Sequence, residues 1–364
     1  VDDFACTYPP NREKGQIMSN QPNPQARLTE VTQAANRALK AAALENLPRT
    51  LASLTAQVTG LPAELQRARS RGYVFANYLE QKLAVLAKQW EAQRLEAQKT
   101  LTTEGEFLRP LRHEVEALIA TAQSQASNPM LLLMSLTKLE KTASDLENQA
   151  KTVENRIKDR IRTLERDIQQ THEQLQDIHH MLDLRDGASF SFNNGENVYL
   201  TAQGEWVATG KGSQDPDGTL YLTDQRLIFE QNEKTGKTLG LFGGKHTQGI
   251  QWEVALPLIE KVEAENKGLF GGKDMLHFTL GAGAPHPRIT VEVKGKAKCK
   301  FWAAQIERMA RGETKDERAI APDEETLKEI KSETSECHVC GGTLPQLSGG
   351  QQVTCVYCGA VITL

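Results

Sequence analysis

A chain of 364 residues with 39% hydrophobic and 25% charged residues is long enough for two or three domains. Its mean hydropathy of -0.49, and apolar runs no longer than stretches such as Met130 to Met134, exclude a membrane-spanning helix, which needs roughly 18 apolar residues. A formal net charge of -4 and a pI near 6.1 leave no global positive field to attract nucleic acid.

Four of the six cysteines form two Cys-x-x-Cys pairs near the C-terminus, and Cys6 and Cys299 stand alone. That usage fits a reducing compartment with a metal site better than a disulfide framework. The first residues lack the charged-then-apolar pattern of a signal peptide, so a cytoplasmic location is expected, with a peripheral position at the inner face of a membrane as the further option.

In chain order, residues 1–26 are rich in Pro, Asn and Gln, have no hydrophobic period, and are expected to be disordered. Codons for Arg12 to Ile17 can encode a purine-rich ribosome-binding site ahead of Met18, so a start at Met18 is a second expectation for this segment. From Arg27 to about Leu184 the composition turns to Ala, Leu, Glu, Gln, Lys and Arg, the strong helix formers. Breaks are expected at Pro48, at Gly60-Leu61-Pro62, near Gly105 and Pro110, and at Ser127-Asn128-Pro129.

The helix after Pro129 carries Leu139, Ala143, Leu146, Ala150, Val153, Ile157, Ile161, Leu164, Ile168, Leu175, Ile178 and Leu182 at coiled-coil spacing, with a stutter at Ile157–Ile161. At 1.5 Å per residue it is on the order of 80 Å long and needs a partner helix. One partner is the preceding helix, folded back antiparallel with Phe75, Leu79, Leu83, Leu86, Trp90, Ala97 and Leu101 as its seam; the other is a second chain, as in a homo-oligomer. The Arg67, Arg69, Arg71 cluster and the Arg156, Lys158, Arg160, Arg162 run are read as solvated helix faces. His172 and His179 share a face, but no third metal ligand accompanies them.

After Gly187 the period changes to two. Short strands are expected at Trp206–Ala208, in a hairpin from Leu220 to Phe229, and at Ile250–Val254, Ile259–Val262, Met275–Leu280 and Ile289–Val293. A closing helix follows, with Phe301, Trp302, Ile306 and Met309 on one face. Three stretches carry a resemblance: Leu222-Thr223-Asp224-Gln225-Arg226-Leu227-Ile228-Phe229, Ala255 to Val262, and Phe301 to Ile306. Over about a third of the chain the sequence resembles the GRAM and bacterial PH-like family within the pleckstrin-homology superfold. The resemblance implies a seven-stranded, helix-capped fold and a non-enzymatic role in binding membrane lipid or a protein.

A repeated hexapeptide marks candidate binding loops. Gly240-Leu241-Phe242-Gly243-Gly244-Lys245 returns as Gly268-Leu269-Phe270-Gly271-Gly272-Lys273, each between expected strands. An aromatic-aliphatic tip beside lysine suits a bilayer interface or an apolar partner groove, while the plainer reading packs both phenylalanines over the barrel end. Lys294, Lys296, Lys298 and Lys300 supply attraction to anionic lipid headgroups, or form one exposed strand face. Gly236-Lys237-Thr238 ends like a phosphate loop but lacks its first glycine, and no catalytic motif is found, so no catalytic residue is assigned.

Gly312 to Glu336 reads as an acidic linker. Beyond it, Cys337, Cys340, Cys355 and Cys358 have the spacing of a zinc ribbon, in which four thiolates close the shell of a structural Zn2+. Neither Lys nor Arg follows Lys331, so phosphate contacts, and nucleic acid as a partner, are not expected.

The expected fold class is therefore multidomain. Behind the disordered N-terminus (1–26) come an all-α coiled-coil arm (27–186), an α+β PH-like barrel capped by one helix (195–312), an acidic linker (313–335) and a small zinc ribbon (336–364). The expected function is a non-enzymatic adaptor that docks to a membrane surface or protein partner and assembles through its coiled coil. The alternatives are a polymerising membrane-remodelling or stress-response scaffold built on the helical hairpin and, behind it, a nucleic-acid-binding regulator acting through the ribbon.

Overall fold

The computed structural model describes residues 23–211, 214–235, 245–267, 272–319, 352–354 and 361–363. Helices α1 (Pro24–Ala42), α2 (Asn46–Ser70), α3 (Leu79–Ser124) and α4 (Pro129–Asp186) precede strands β1 (Val198–Trp206), β2 (Asp217–Thr223), β3 (Arg226–Thr235), β4 (Lys245–Ala255), β5 (Ile259–Lys267), β6 (Lys273–Leu280) and β7 (Arg288–Lys294). Helix α5 (Cys299–Ala310) and a short pair, β8 (Gln352–Thr354) and β9 (Val361–Thr363), follow. The chain divides into two compact units whose boundaries pass through α2, α3 and α4: residues up to Leu54 with Glu91–Thr163, and Thr55–Trp90 with Leu164 onward.

In the first unit α1 starts on Asn23, whose side chain accepts from Gln25 N–H at 3.0 Å, with Pro24 in the first turn where its missing donor is harmless. Ion pairs Lys138–Glu114 (3.4 Å) and Arg160–Glu96 (3.6 Å), together with Arg156–Glu104, run in opposite numerical directions and so join α3 to α4 antiparallel. Arg156, Lys158, Arg160 and Arg162 are exposed, as a solvated face requires. All twelve apolar seam positions of α4 are buried across the two units, including both residues of the stutter. Thr171 fills the gap between Ile168 and Leu175, fully buried, with its hydroxyl bonded to Asp167 O.

The expected breaks are largely absent. Pro48 lies in the first turn of α2, and α2 and α3 run through Gly60-Leu61-Pro62, Gly105 and Pro110. A proline inside a helix costs about 3 kcal/mol, and burial of the apolar face around it, by Val58, Leu61 and Leu65 in α2 and by Leu108 and Val115 in α3, outweighs that penalty. Besides the expected Ser127-Asn128-Pro129 turn and a short break at residues 43–45, just ahead of Pro48, an interruption that the sequence did not announce falls at residues 71–78. There α2 ends in a Schellman cap: Gly72 adopts φ 88°, its N–H meets Arg69 O, and Tyr73 N–H reaches Ala68 O at 3.0 Å. Phe75, expected in a helical seam, sits in this non-helical strap instead.

In the second unit the strap is buried from Tyr73 to Ala76. Arg69, expected on a solvated face, is its clamp. The guanidinium, with only 9% of the side chain exposed, donates to Tyr73 O at 2.9 Å, Ala76 O at 3.1 Å and Phe75 O, and pairs with Glu80. Ala76 is held at φ 54°, a left-handed conformation that favours glycine and is retained here because its carbonyl is fixed at both Arg69 and Leu79 N–H. Arg71 is likewise paired, with Asp183 and Asp186 at 2.8 Å each.

The seven strands form one antiparallel sheet in the order β4-β3-β2-β1-β7-β6-β5, with α5 packed on β5 and β6. The expected hairpin is β2–β3, closed by Asp224-Gln225, and β1 extends further upstream than the Trp206–Ala208 expectation. Gly218 is required by close approach: a Cβ there would stand 2.0 Å from Glu230 O. On α5, Cys299, Trp302, Ala303, Ile306 and Met309 are buried, whereas Phe301 is 45% exposed and belongs to the outer face.

Residues 313–319, expected as the start of a linker, belong to the fold. Thr314 is buried, Lys315–Glu317 forms a 3-10 turn, Ala319 N–H bonds to Val74 O at 2.7 Å, and Asn77 Nδ2 donates to Asp316 O at 2.7 Å.

Replacing Arg69 with Ala removes the donor to the Tyr73 and Phe75 carbonyls and leaves Ala76 O only Leu79 N–H, so the Arg69→Ala chain is expected to lose about 3 kcal/mol in urea titrations. Hydrogen bonds from Arg69 hold the Glu80 carboxyl below its ordinary value of 4.5. A depressed acid stabilises the fold at neutral pH and ceases to do so as pH falls through its folded value, so Glu80→Gln should flatten the acid-side loss of stability seen in the wild type.

Candidate docking site

The run Thr223-Asp224-Gln225-Arg226 acts as a structural latch. Glu196, whose side chain is wholly buried, receives Arg226 through Nε (2.9 Å) and Nη2 (3.0 Å), Thr223 Oγ1 at 2.7 Å and Asn193 N–H at 2.7 Å. Asp224 accepts from Asn197 N–H at 2.8 Å and from Arg318 Nη1 at 2.7 Å. The turn between β2 and β3 thus ties the segment entering β1 to the residues following α5. These side chains are occupied in holding the fold.

A second buried carboxylate joins α4 to the sheet. Glu230 on β3 is 0% exposed; Ser189 N–H donates to it at 2.7 Å, Gln248 Nε2 at 3.1 Å and the Tyr221 hydroxyl at 3.0 Å. Leu184 O, in the last turns of α4, lies 3.2 Å from the same hydroxyl, and Phe190 and Phe192 pack edge-on around the Tyr221 ring. Burial and then the Glu230 charge push the Tyr221 phenol well above its ordinary pKa.

The strap completes the mounting. Phe75 meets the Tyr199 ring edge-on at 5.0 Å, and the Arg318 guanidinium lies 5.4 Å from the Phe75 centroid. The Tyr199 hydroxyl donates to Gln305 Oε1 at 2.9 Å beside Glu317, and its pKa is pushed up to about 12 by burial first and the Glu317 charge second.

What this mounting presents is decided by strand direction. Every neighbouring pair is antiparallel, so directions alternate across the sheet, and the β1–β2, β3–β4 and β6–β7 connections close at one end of that alternation. The β5–β6 connection closes at the other. The strands that flank the two hexapeptides are therefore opposite edge hairpins, β3–β4 and β5–β6, with β2, β1 and β7 between them in sheet order. Leu241 and Phe242, with Leu269 and Phe270, lie outside the described residues, and Lys245 is placed only as the first residue of β4.

The lysines do not form one strand face: β7 ends at Lys294, Lys296 lies in the turn, Lys298 caps α5 and Lys300 is inside it. Carboxylates accompany most of them. Lys273 pairs with Glu292 (2.6 Å), Lys294 with Asp217 (2.6 Å) and Glu205 (3.2 Å), Lys296 with Asp177 (3.0 Å), and Lys298 with Asp274 (3.2 Å). Lys300 is exposed. Burial opposes the Asp274 charge, but hydrogen bonds from Cys299 and Asn266, and from Lys298, hold its carboxyl below the ordinary value. The buried Cys299 thiol is raised by burial and by Asp274, which makes it a poor nucleophile.

Cys337, Cys340, Cys355 and Cys358 lie outside the described residues, although the pair β8–β9 brackets the second knuckle. Among the described residues no group of three or more His, Cys, Asp or Glu is placed to hold a metal. His172 and His179 meet Glu64, at 3.1 Å to its side chain and 3.0 Å to its carbonyl. The sequence reading missed Glu196 and Glu230; Arg226 and the Tyr221–Glu230 pair across the hairpin were the available signals.

No protein-family model matches the chain, and no curated protein sequence matches it. Solved structures do match. The N-terminal PH domain of Vps36 is 15% identical over 34% of this chain and 84% of its own, with a TM-score of 0.25. The DH/PH domains of PDZ-RhoGEF, solved with activated RhoA, are 12% identical over 81% of this chain and 97% of theirs, with a TM-score of 0.28. Autoinhibited Vav1 is 11% identical over 95% of this chain and 68% of its own, with a TM-score of 0.23. At those scores the assignment of a PH-like fold rests on the chain's own topology: seven antiparallel strands closed by one C-terminal helix.

Glu230→Ala removes the acceptor of three donors, the buried Tyr221 hydroxyl among them, and is expected to destabilise the chain by about 3 kcal/mol in urea unfolding. Tyr221→Phe, which leaves two of those donors satisfied, should cost about 1 kcal/mol.

Proposed function

We propose that this protein is a non-enzymatic adaptor whose PH-like module, of the GRAM type, docks on a membrane surface or a protein partner. The observation that supports it is the mounting. The sheet is fastened to α4 and to the strap that follows α2 through the Glu230 cluster, the Arg69 clamp and the Phe75–Tyr199 contact. A module mounted this way holds its strands in one orientation, which suits recognition. In this reading Phe242 and Leu241 on one hairpin, with Lys245, and Phe270 and Leu269 on the other, with Lys273, make the contact. Anionic lipid headgroups are engaged with help from Lys300 and from Lys294, Lys296 and Lys298 once their surface carboxylate partners are displaced.

The same proposal gives the tail a zinc ribbon in which Cys337, Cys340, Cys355 and Cys358 hold one structural zinc, and gives the helices a coiled-coil role in self-assembly. A cytoplasmic protein that is peripheral at the membrane fits this arrangement. The scaffold reading draws on the length of α3 and α4, 46 and 58 residues, and light scattering separates it: large salt-sensitive assemblies support a scaffold, a discrete oligomer the adaptor.

Vesicles containing acidic phospholipid are expected to sediment the wild type at low salt and to lose most of that increment with Phe242→Ala/Phe270→Ala. Equal pelleting of both removes the loop reading and leaves a protein partner. Metal analysis should find one zinc per chain, lost with Cys337→Ser/Cys340→Ser; zinc retained by that variant would place the metal elsewhere.

A further inference from the structure

A second surface lies in the helical unit, at the turn between α3 and α4. The chain is 25% charged, yet no Asp, Glu, Lys or Arg occurs between Glu116 and Lys138. Within that interval α4 opens with Pro129-Met130-Leu131-Leu132-Leu133-Met134. Met130 is 77% exposed, Met134 68%, Leu133 49% and Leu131 46%, whereas Leu132 and Leu136 are buried. At about 100° per residue the four exposed side chains sweep an arc of roughly 160°, nearly the whole outward half of the helix. A groove on a folded protein takes a narrower stripe of i, i+3 and i+4 anchors, with charges at the rim to set register. Here the rim is Gln123, Ser124, Ser127 and Thr137, all uncharged.

The depth of the neutral zone points to its occupant. Along α3 and α4, from Ser124 back to Glu116 and from Pro129 to Lys138, the helices rise about 12–14 Å before their first charge, against about 15 Å for half of a bilayer's hydrocarbon core, and Arg27 of the adjoining α1 is paired with Glu140 at 3.4 Å. At that level Glu114 and Lys138 form an ion pair at 3.4 Å, a mixed-sign collar suited to headgroups of no net charge. The turn itself is prepared for a poorly hydrated setting. Asn128 Oδ1 caps Leu131 N–H at 3.3 Å, Asn128 O accepts Leu132 N–H at 2.9 Å, Gln25 Nε2 covers Ala126 O at 3.3 Å, and Ser135 bonds to Gln125.

We infer that the α3–α4 tip is a membrane wedge, which inserts Met130, Leu131, Leu133 and Met134 into one leaflet of a lipid bilayer without requiring anionic lipid. The site is independent of the loops of the PH-like module.

The test is flotation of the full-length chain with pure phosphatidylcholine vesicles at high salt, where attraction to anionic headgroups is absent. Wild type is expected to float. Met130→Asp/Leu131→Asp should float about tenfold less, since acidic groups are strongly disfavoured in hydrocarbon. Both changes fall in the first turn of α4, where acidic residues favour the helix, so circular dichroism and the urea midpoint should be retained. Phe242→Ala/Phe270→Ala should float as wild type, which keeps this outcome separate from that of the loop proposal. A wild type that stays off the vesicles, or an aspartate variant that floats equally, overturns the wedge. Self-association of the wild type that the aspartate variant loses, with no flotation by either, assigns the tip to a second copy of the chain instead.

Discussion

Burying a carboxylate costs several kcal/mol unless donors surround it, and Glu230 is wholly buried where the last turns of α4 meet the sheet. Its donors come from three places: Ser189 after α4, Tyr221 on β2 and Gln248 on β4. Each of the three shares in compensating the buried charge. The α4–sheet junction is therefore specified in position as well as in composition, and the Glu196–Arg226 pair applies the same logic to the segment entering β1.

A PH-like sheet on a loose tether would sample many orientations. Here the tether is replaced by packed aromatics and shared carbonyls: Phe75 on Tyr199, Arg69 on the strap, Ala319 on Val74. Packing of this kind fixes the strands relative to the strap and to the end of α4. Near β7, Lys273 and Lys294 are each paired with a carboxylate, which offsets their charge.

Much of the secondary structure was legible in sequence. The two-residue alternation from Leu220 to Phe229 and the heptad spacing from Leu139 to Leu182 both survive, because each places its apolar residues on one face. The breaks were misplaced for a physical reason: Pro62, Gly105 and Pro110 are local penalties of a few kcal/mol or less, and burial along the helix exceeds them. Gly72 was the true signal, and its role needed the partner carbonyls of a Schellman cap to become visible.

By itself the sequence determined the alternation of element types, the apolar faces, the cysteine spacing and the neutral interval between Glu116 and Lys138, all properties of neighbouring residues. Tertiary structure alone decided that Arg69 is a clamp and not a solvated charge, that residues 313–319 are part of the mounting, and that the hairpins β3–β4 and β5–β6 form opposite edges of one sheet. Those facts depend on which distant carbonyl, ring or strand a residue meets. Periodicity carries no information about that choice.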